Sequence, residues 1–317
     1  MDRDEILAGP ARFWIGEARW DLPVAVIDLD RGEEWPDELA LPPCPLIGIG
    51  SRDAPGAAHV DTVIEPPASL DGVVSRIEAC PRAAGVIVGL LRLLPSLDPL
   101  QGLAAESLAY ATLQGSEEHL AWRASRPASD PIPPGTLHVA RKEDVLDLML
   151  DRPQADNAID RPMRDALYDA MQTAALDPSI ERLVLRGEGK AFSLGADLAE
   201  FGTTTDPATA HAIRSVTLPA LMATRVAERL EARVQGACVG SGLELAAFAH
   251  RIVATPRAWF QLPELEMGIL PGAGGCVSLT RRIGRQRTAL MILSGKRISA
   301  RTALDWGLVD AIVDDLA

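Results

Sequence analysis

The sequence predicts an α/β protein built from short strands and intervening helices, and three observations carry that reading. Apolar runs rich in β-branched residues, among them VAVIDL, PLIGIG and DTVIE, are each bounded by Gly, Pro or Asp, as strands are. VLDLML and RLVLRG read the same way, and between them RPMRDALYDAMQTAAL has helical periodicity, with Met163, Leu167, Ala170 and Met171 on one face. Glycine-rich turns stand near carboxylates between Gln235 and Gly275: VGSGLEL precedes a helix, and the acidic PELEMG precedes a second glycine turn. Such turns expose backbone N–H groups, which a carbonyl oxygen gaining negative charge requires.

Residues 1–130 have a texture of their own. After the first strands, SLDGVVSRIEAC opens with a Ser cap and places Val73, Val74, Ile77 and Ala79 on one helical stripe. AGVIVGLL predicts a further buried strand. His59 has no partner pattern nearby and reads as a surface or satisfied imidazole. Residues 98–126 predict two helices broken at Gln114 and Gly115, with Leu103, Ser107, Tyr110 and Leu113 on one face and Ser116 capping the second. Tyr110 and Trp122 are expected in a packed interface. SRPASDPIPPGT, with four prolines, predicts an extended linker. The strand, strand, helix, strand order of the first segment resembles the start of the second, as a decayed partial duplicate would.

Charge and composition remove several classes of function. The 317 residues are 47% hydrophobic, and 31 basic against 44 acidic residues give a net charge of −13. That balance repels phosphate backbones and argues against nucleic acid as a partner. An anionic ligand would need a local basic rim. Cys44, Cys80, Cys238 and Cys276 form no CxxC pair and no metal-ligand spacing, so free thiols in a reducing cytoplasm are expected, with no metal. The amino terminus lacks an apolar signal region, and no apolar run is long enough for a bilayer. The glycine turns lack the GxGxxG order of a nicotinamide or flavin site.

Four motifs follow one another over about 180 residues, Thr136 to Val313: VLDLMLDRPQADNAID, RLVLRGEGKAFSLGADLAEFG, GSGLELAAF with LPELEMGILPGAGG, and LSGKRISARTALDWGLVDAIV. In this order and spacing they resemble the enoyl-CoA hydratase/isomerase (crotonase) family. The resemblance implies a crotonase-like (ClpP/crotonase) spiral of β-β-α units over residues 131–317, preceded by the small α/β segment and its two helices. It implies an acyl-CoA substrate with coenzyme A as part of the thioester, no separate cofactor, and a homo-oligomer, trimer or hexamer. It further implies an oxyanion hole from the backbone N–H groups of Leu194 and Ser241, with Leu194, Gly195, Ala196, Asp197 and Ser241 lining the thioester and pantetheine. Glu244 and Glu264 match the two glutamates that hold a water in hydratases of the family. On that match Glu264 is the principal acid/base, Glu244 positions the water, and Glu266 is a decoy. One of the pair must have its proton affinity raised by burial or repulsion, since an ordinary glutamate is a weak acid at neutral pH.

The sequence also departs from the family pattern. A serine, Ser241, stands where glycine is common, Asp156 where an apolar or basic residue is, and Ala249-His250 where Cys-Asp is; Arg152 and Lys190 are the nearby cations. Asp197 reads as a helix cap. The sequence ends at Ala317, where the family usually continues into helices, while residues 98–126 resemble those helices although they precede the core. Docking of 98–126 on the core, through Leu103, Leu108, Tyr110, Leu113 and Trp122, is therefore expected. The glutamate pair favours hydration or dehydration of an enoyl-CoA. The alternatives are double-bond isomerisation, hydrolysis, cofactor-independent oxygenation of an aryl-acetyl-CoA, or a non-catalytic assembly subunit.

Overall fold

A computed structural model describes residues 3–14, 21–127 and 132–316. Within the proline-rich linker, residues 128–131 lie outside the described residues. After a short helix α1 (Arg3–Ile6), strands β1 (Ala25–Asp28), β2 (Leu46–Ile49) and β3 (Thr62–Val63) form a parallel sheet. Helix α2 (Leu70–Ala79) starts where Ser69 accepts the Gly72 N–H and buries Val73, Val74 and Ile77, whereas Ala79 is exposed.

The run AGVIVGLL is a helix, not a strand. It lies in α3 (Pro81–Leu93), which begins with Pro81 in its first turn and buries Ala83, Ala84, Ile87, Val88, Leu90 and Leu91. A helix covered by α2, α4 and α10 needs apolar residues around most of its circumference, so its text loses the polar intervals that mark an amphipathic helix. Helices α4 (Pro99–Gln114) and α5 (Glu117–Ser125) follow, the first with a capping box of Asp98 and Gln101, the second capped by Ser116.

The larger part alternates strands and helices. Strands β4 (Thr136–Lys142) and β5 (Val145–Asp151) form a hairpin, followed by α6 (Arg161–Leu176), β6 (Arg182–Gly187), α7 (Pro207–Thr217) and α8 (Pro219–Val226). Then come β7 (Leu230–Val234), β8 (Ala237–Val239), α9 (Ser241–Ala246), β9 (Arg251–Ala254), β10 (Trp259–Gln261) and α10 (Gly275–Ser294), which is broken at Gly284. Strand β11 (Ile298–Ser299), α11 (Ala300–Asp305) and β12 (Ala311–Ile312) close the described chain. One sheet has the order β12-β9-β7-β6-β5-β4, parallel except at the β4 edge; the other has the order β11-β10-β8. Edge strand β4, which the apolar pattern does not announce, is almost wholly exposed and carries Arg141 and Lys142, residues that discourage further pairing. Met163, Leu167, Ala170 and Met171 are buried under the large sheet as their spacing predicts.

A continuous apolar core runs from Ile6 and Val26 through α2, α3 and α4 into β6, β7, α10 and Val309. Each Leu or Ile that it buries contributes about 2 kcal/mol of transfer free energy. Helix α4 packs on α3, α7, α8 and α10, and Leu103 and Leu113 are buried there, while Leu108 is 56% exposed and takes no part. Gly102 permits the approach, because a Cβ there would come within 3.1 Å of Val277. A chain truncated to begin at Pro134 would bare the faces of α8 and α10 that α3 and α4 cover, so it is expected to aggregate on gel filtration. A soluble fragment with the parent's oligomeric size would contradict this shared core.

Candidate active site

The loops that follow β6, β8 and β10 converge on a cavity of about 650 Å³. Such loops, at the carboxyl ends of parallel strands, are where open α/β sheets place ligands. Its wall includes Leu194, Ala196, Ser241, Glu244 and Glu264, and Tyr110 from α4. The loop after β6 is clamped from both sides. Ser193 N–H donates to Ala237 O at 3.0 Å and its carbonyl accepts from Val239 N–H at 2.9 Å, while Ile159 N–H donates to Gly195 O at 2.7 Å and Asp197 N–H to Ile159 O at 2.9 Å. Gly242 lets α9 come close, since a Cβ there would lie 2.5 Å from Ser193 Cβ.

This clamping corrects one expected oxyanion donor. Leu194 N–H donates to Asp156 O at 3.0 Å, so it is already satisfied, although Leu194, 41% exposed, lines the cavity. Gly195 N–H is taken by Ser193 Oγ at 3.1 Å. Gly195 then adopts a φ of 95°, which turns the following peptide, and Ala196 N–H has no acceptor among the described residues. Across from it, Ser241 N–H opens α9 and is likewise without an acceptor among the described residues. The two chain segments touch, for a Cβ on Gly195 would sit 3.4 Å from Ser241 N. Serine is tolerated at 241 because the unusual backbone falls on Gly240, with φ 48° and ψ −129°. Ser241 Oγ is buried without a partner.

Glu244 and Glu264 are both buried, at 2% and 7% exposure. Glu244 is held rigidly, with Oε2 accepting from Ala273 N–H at 2.7 Å and Gly275 N–H at 2.8 Å at the head of α10. Burial pushes its carboxyl up to about 7, against the pull of those two N–H groups. Glu264 has an oxygen, Oε2, with no partner. Its carboxyl is raised well above the ordinary value, first by burial and then by the nearby Glu244. Glu266, by contrast, is mostly exposed and paired with Arg76 at 2.8 Å.

The remaining sequence candidates are tied into the scaffold, and Asp197 also lines the cavity. Asp197 caps the turn 198–200 through Ala199 N–H and pairs with Arg152 at 2.8 Å. Arg152 is 2% exposed and is no part of a basic rim: it binds Pro133 O, Ala158 O and Asp197, and so ties the linker to the site loop. Lys190 reaches Asp156 at 3.2 Å, and His250 holds Leu230 O at 2.8 Å. The cations that do line the cavity are Arg161, Arg164 and Arg214, and the sequence alone does not single them out. Among the described residues no group of His, Cys, Asp and Glu suits a metal ion, and no helix is long and apolar enough to cross a membrane.

Comparison with known proteins agrees with this architecture. The enoyl-CoA hydratase/isomerase family model matches residues 140–316. The chain is 39% identical over 181 residues to 2,3-dehydroadipyl-CoA hydratase of Escherichia coli, covering 57% of this chain and 70% of that one. It is 37% identical over 179 residues to a mevalonyl-coenzyme A hydratase of Beauveria bassiana, covering 54% and 64%. The crystal structure of an enoyl-CoA hydratase from Bacillus anthracis superposes with a TM-score of 0.51 at 29% identity over 56% of this chain and 69% of that one. With its spiral of β-β-α units and the matched motifs, the chain belongs to the enoyl-CoA hydratase/isomerase (crotonase) family, a family of enzymes.

Proposed function

We propose that the protein hydrates an α,β-unsaturated acyl-CoA reversibly, and the observation that carries this reading is the pair of buried glutamates beside two unsatisfied backbone N–H groups in one cavity. The thioester oxygen accepts from Ala196 N–H and Ser241 N–H. As water oxygen bonds to the β-carbon, the π electrons move toward the thioester oxygen to give an enolate. One water proton passes to the ionised carboxyl of the pair, and the protonated carboxyl delivers its proton to the α-carbon as the enolate collapses, so water is added overall. Glu264 suits the proton transfer because it keeps an unpartnered oxygen, and Glu244, fixed by two N–H bonds, suits the orienting of water. Arg161, Arg164 and Arg214 supply the local positive charge that an anionic coenzyme A requires on a chain of net charge −13.

Glu264→Gln should lower kcat roughly 10²–10⁴-fold with little change in acyl-CoA binding, because the lost proton transfer belongs to the transition state. The same substitution should stabilise the fold. With its affinity for a proton raised above the ordinary 4.5, folded Glu264 holds its proton more tightly than unfolded Glu264 does. Stability is therefore lost as pH rises through the raised value. Gln escapes that loss, so the Tm advantage of the variant should be absent near about pH 4 and evident near about pH 8. Wild-type turnover in Glu264→Gln would exclude the mechanism.

The oxyanion donor has a separate test. Ser241→Ala keeps the N–H and should leave kcat within about threefold, whereas Ser241→Pro removes it and should cost about 3 kcal/mol of transition-state stabilisation. Loss of activity in a folded Ser241→Ala protein would instead make the hydroxyl a nucleophile and the reaction a hydrolysis.

A further inference from the structure

We infer that Glu106, on α4 and outside the family-matched residues, is a positioning residue that fixes Glu244 from behind, the two carboxyls dividing the N–H groups at the head of α10 so that each senses the other. The role assigned to Glu244 rests on the function proposed above; the coupling does not.

The bonds interleave. Glu244 takes Ala273 N–H and Gly275 N–H, and Glu106 takes Gly274 N–H at 2.7 Å and Val277 N–H at 3.3 Å. Each carboxyl thus holds the turn in the shape that the other needs. Glu106 is 1% exposed and is absent from the cavity wall, so it acts on substrate only through Glu244. A single helix terminus, carrying about half a unit of positive charge, does not support two buried anions.

The other charged or titratable groups facing Glu106 are Glu264 after β10, Cys276 on α10, Arg214 on α7 and, through Ser107, His211 on α7. Of these only Arg214 is a fixed cation, set against three carboxyls. Burial first, and then Glu244, raise the Glu106 carboxyl. Glu264 Oε2, buried without a partner, leaves a third polar group that this pair can influence across the cavity. A mere helix cap would stabilise α10 without sensing the charge on Glu244.

The test is an NMR titration of isotopically labelled glutamate carboxyls in the full-length protein, with the Glu106 signal assigned through its loss in Glu106→Gln. In Glu244→Gln the Glu106 midpoint should move to lower pH, and in Glu106→Gln kcat should fall roughly tenfold or more with KM nearly unchanged. An unmoved midpoint overturns the inference whatever the rate does, and a parental kcat despite a moved midpoint overturns the positioning role. Should Glu106→Gln fail to fold, Glu106→Met carries the same test, since an apolar residue of similar volume often replaces a buried charge without loss of stability. Because the titration needs no turnover, it separates this coupling from the hydratase assignment: a shifted midpoint in a protein that hydrates no enoyl-CoA would retain the one and refute the other.

Discussion

Burying carboxylates next to a cavity is costly, and the turn Gly272 to Gly275 is what makes it sustainable here. Its N–H groups face Glu244 and Glu106 at the amino end of a long helix, where anions are favoured. The glycines are required by what packs on them. A Cβ at Gly272 would lie 2.1 Å from the Tyr110 ring, one at Gly274 2.7 Å from Phe248 and Ala220, and one at Gly275 2.4 Å from Glu244. The turn therefore joins α4, α8 and α9 to α10, and the carboxylate geometry cannot shift without moving all of them.

The electrostatic consequence is a site that opposes its own stability. Buried glutamates with raised proton affinity weaken the fold as pH rises, and the unpartnered Glu264 oxygen is the least compensated of them. That is the pattern expected where a group is kept for proton transfer rather than for packing. Helices α4 and α5 bear part of the load. Tyr110 supports the turn, and His119 on α5 binds Met267 O at 2.8 Å just beyond Glu264, so residues far upstream hold both glutamate-bearing segments.

Much of this was legible in the sequence, and the exceptions have physical causes. Strands, caps and the face of α6 followed from periodicity and cap chemistry, and the motif position that marks Glu264 falls on a buried carboxyl while Glu266 is exposed and paired with Arg76. The α3 run was misread because a helix enclosed on several sides carries no alternation of polar residues, leaving only length and apolarity to judge. The expected donor Leu194 N–H is taken by Asp156 O, and the N–H without an acceptor among the described residues lies two residues on at Ala196, because the direction of an N–H depends on the turn at Gly195, which no residue identity specifies. Arg152 stands in the sequence as a nearby cation, yet it lies buried among carbonyls and Asp197, partners that converge only in three dimensions. Glu106 was hidden for the same reason: in sequence it is a polar residue beside Ser107, and its partners lie some 170 residues away.

The proposed reaction is the addition of water to a carbon–carbon double bond at this glutamate pair. The most direct measurement is mass spectrometry of a short enoyl-CoA incubated with the protein in isotopically labelled water. The account predicts a product that has gained one labelled water, with the label at the β-hydroxyl and the thioester intact. Release of free coenzyme A, gain of an unlabelled oxygen from dioxygen, or recovery of unchanged enoyl-CoA bound to the protein would contradict it.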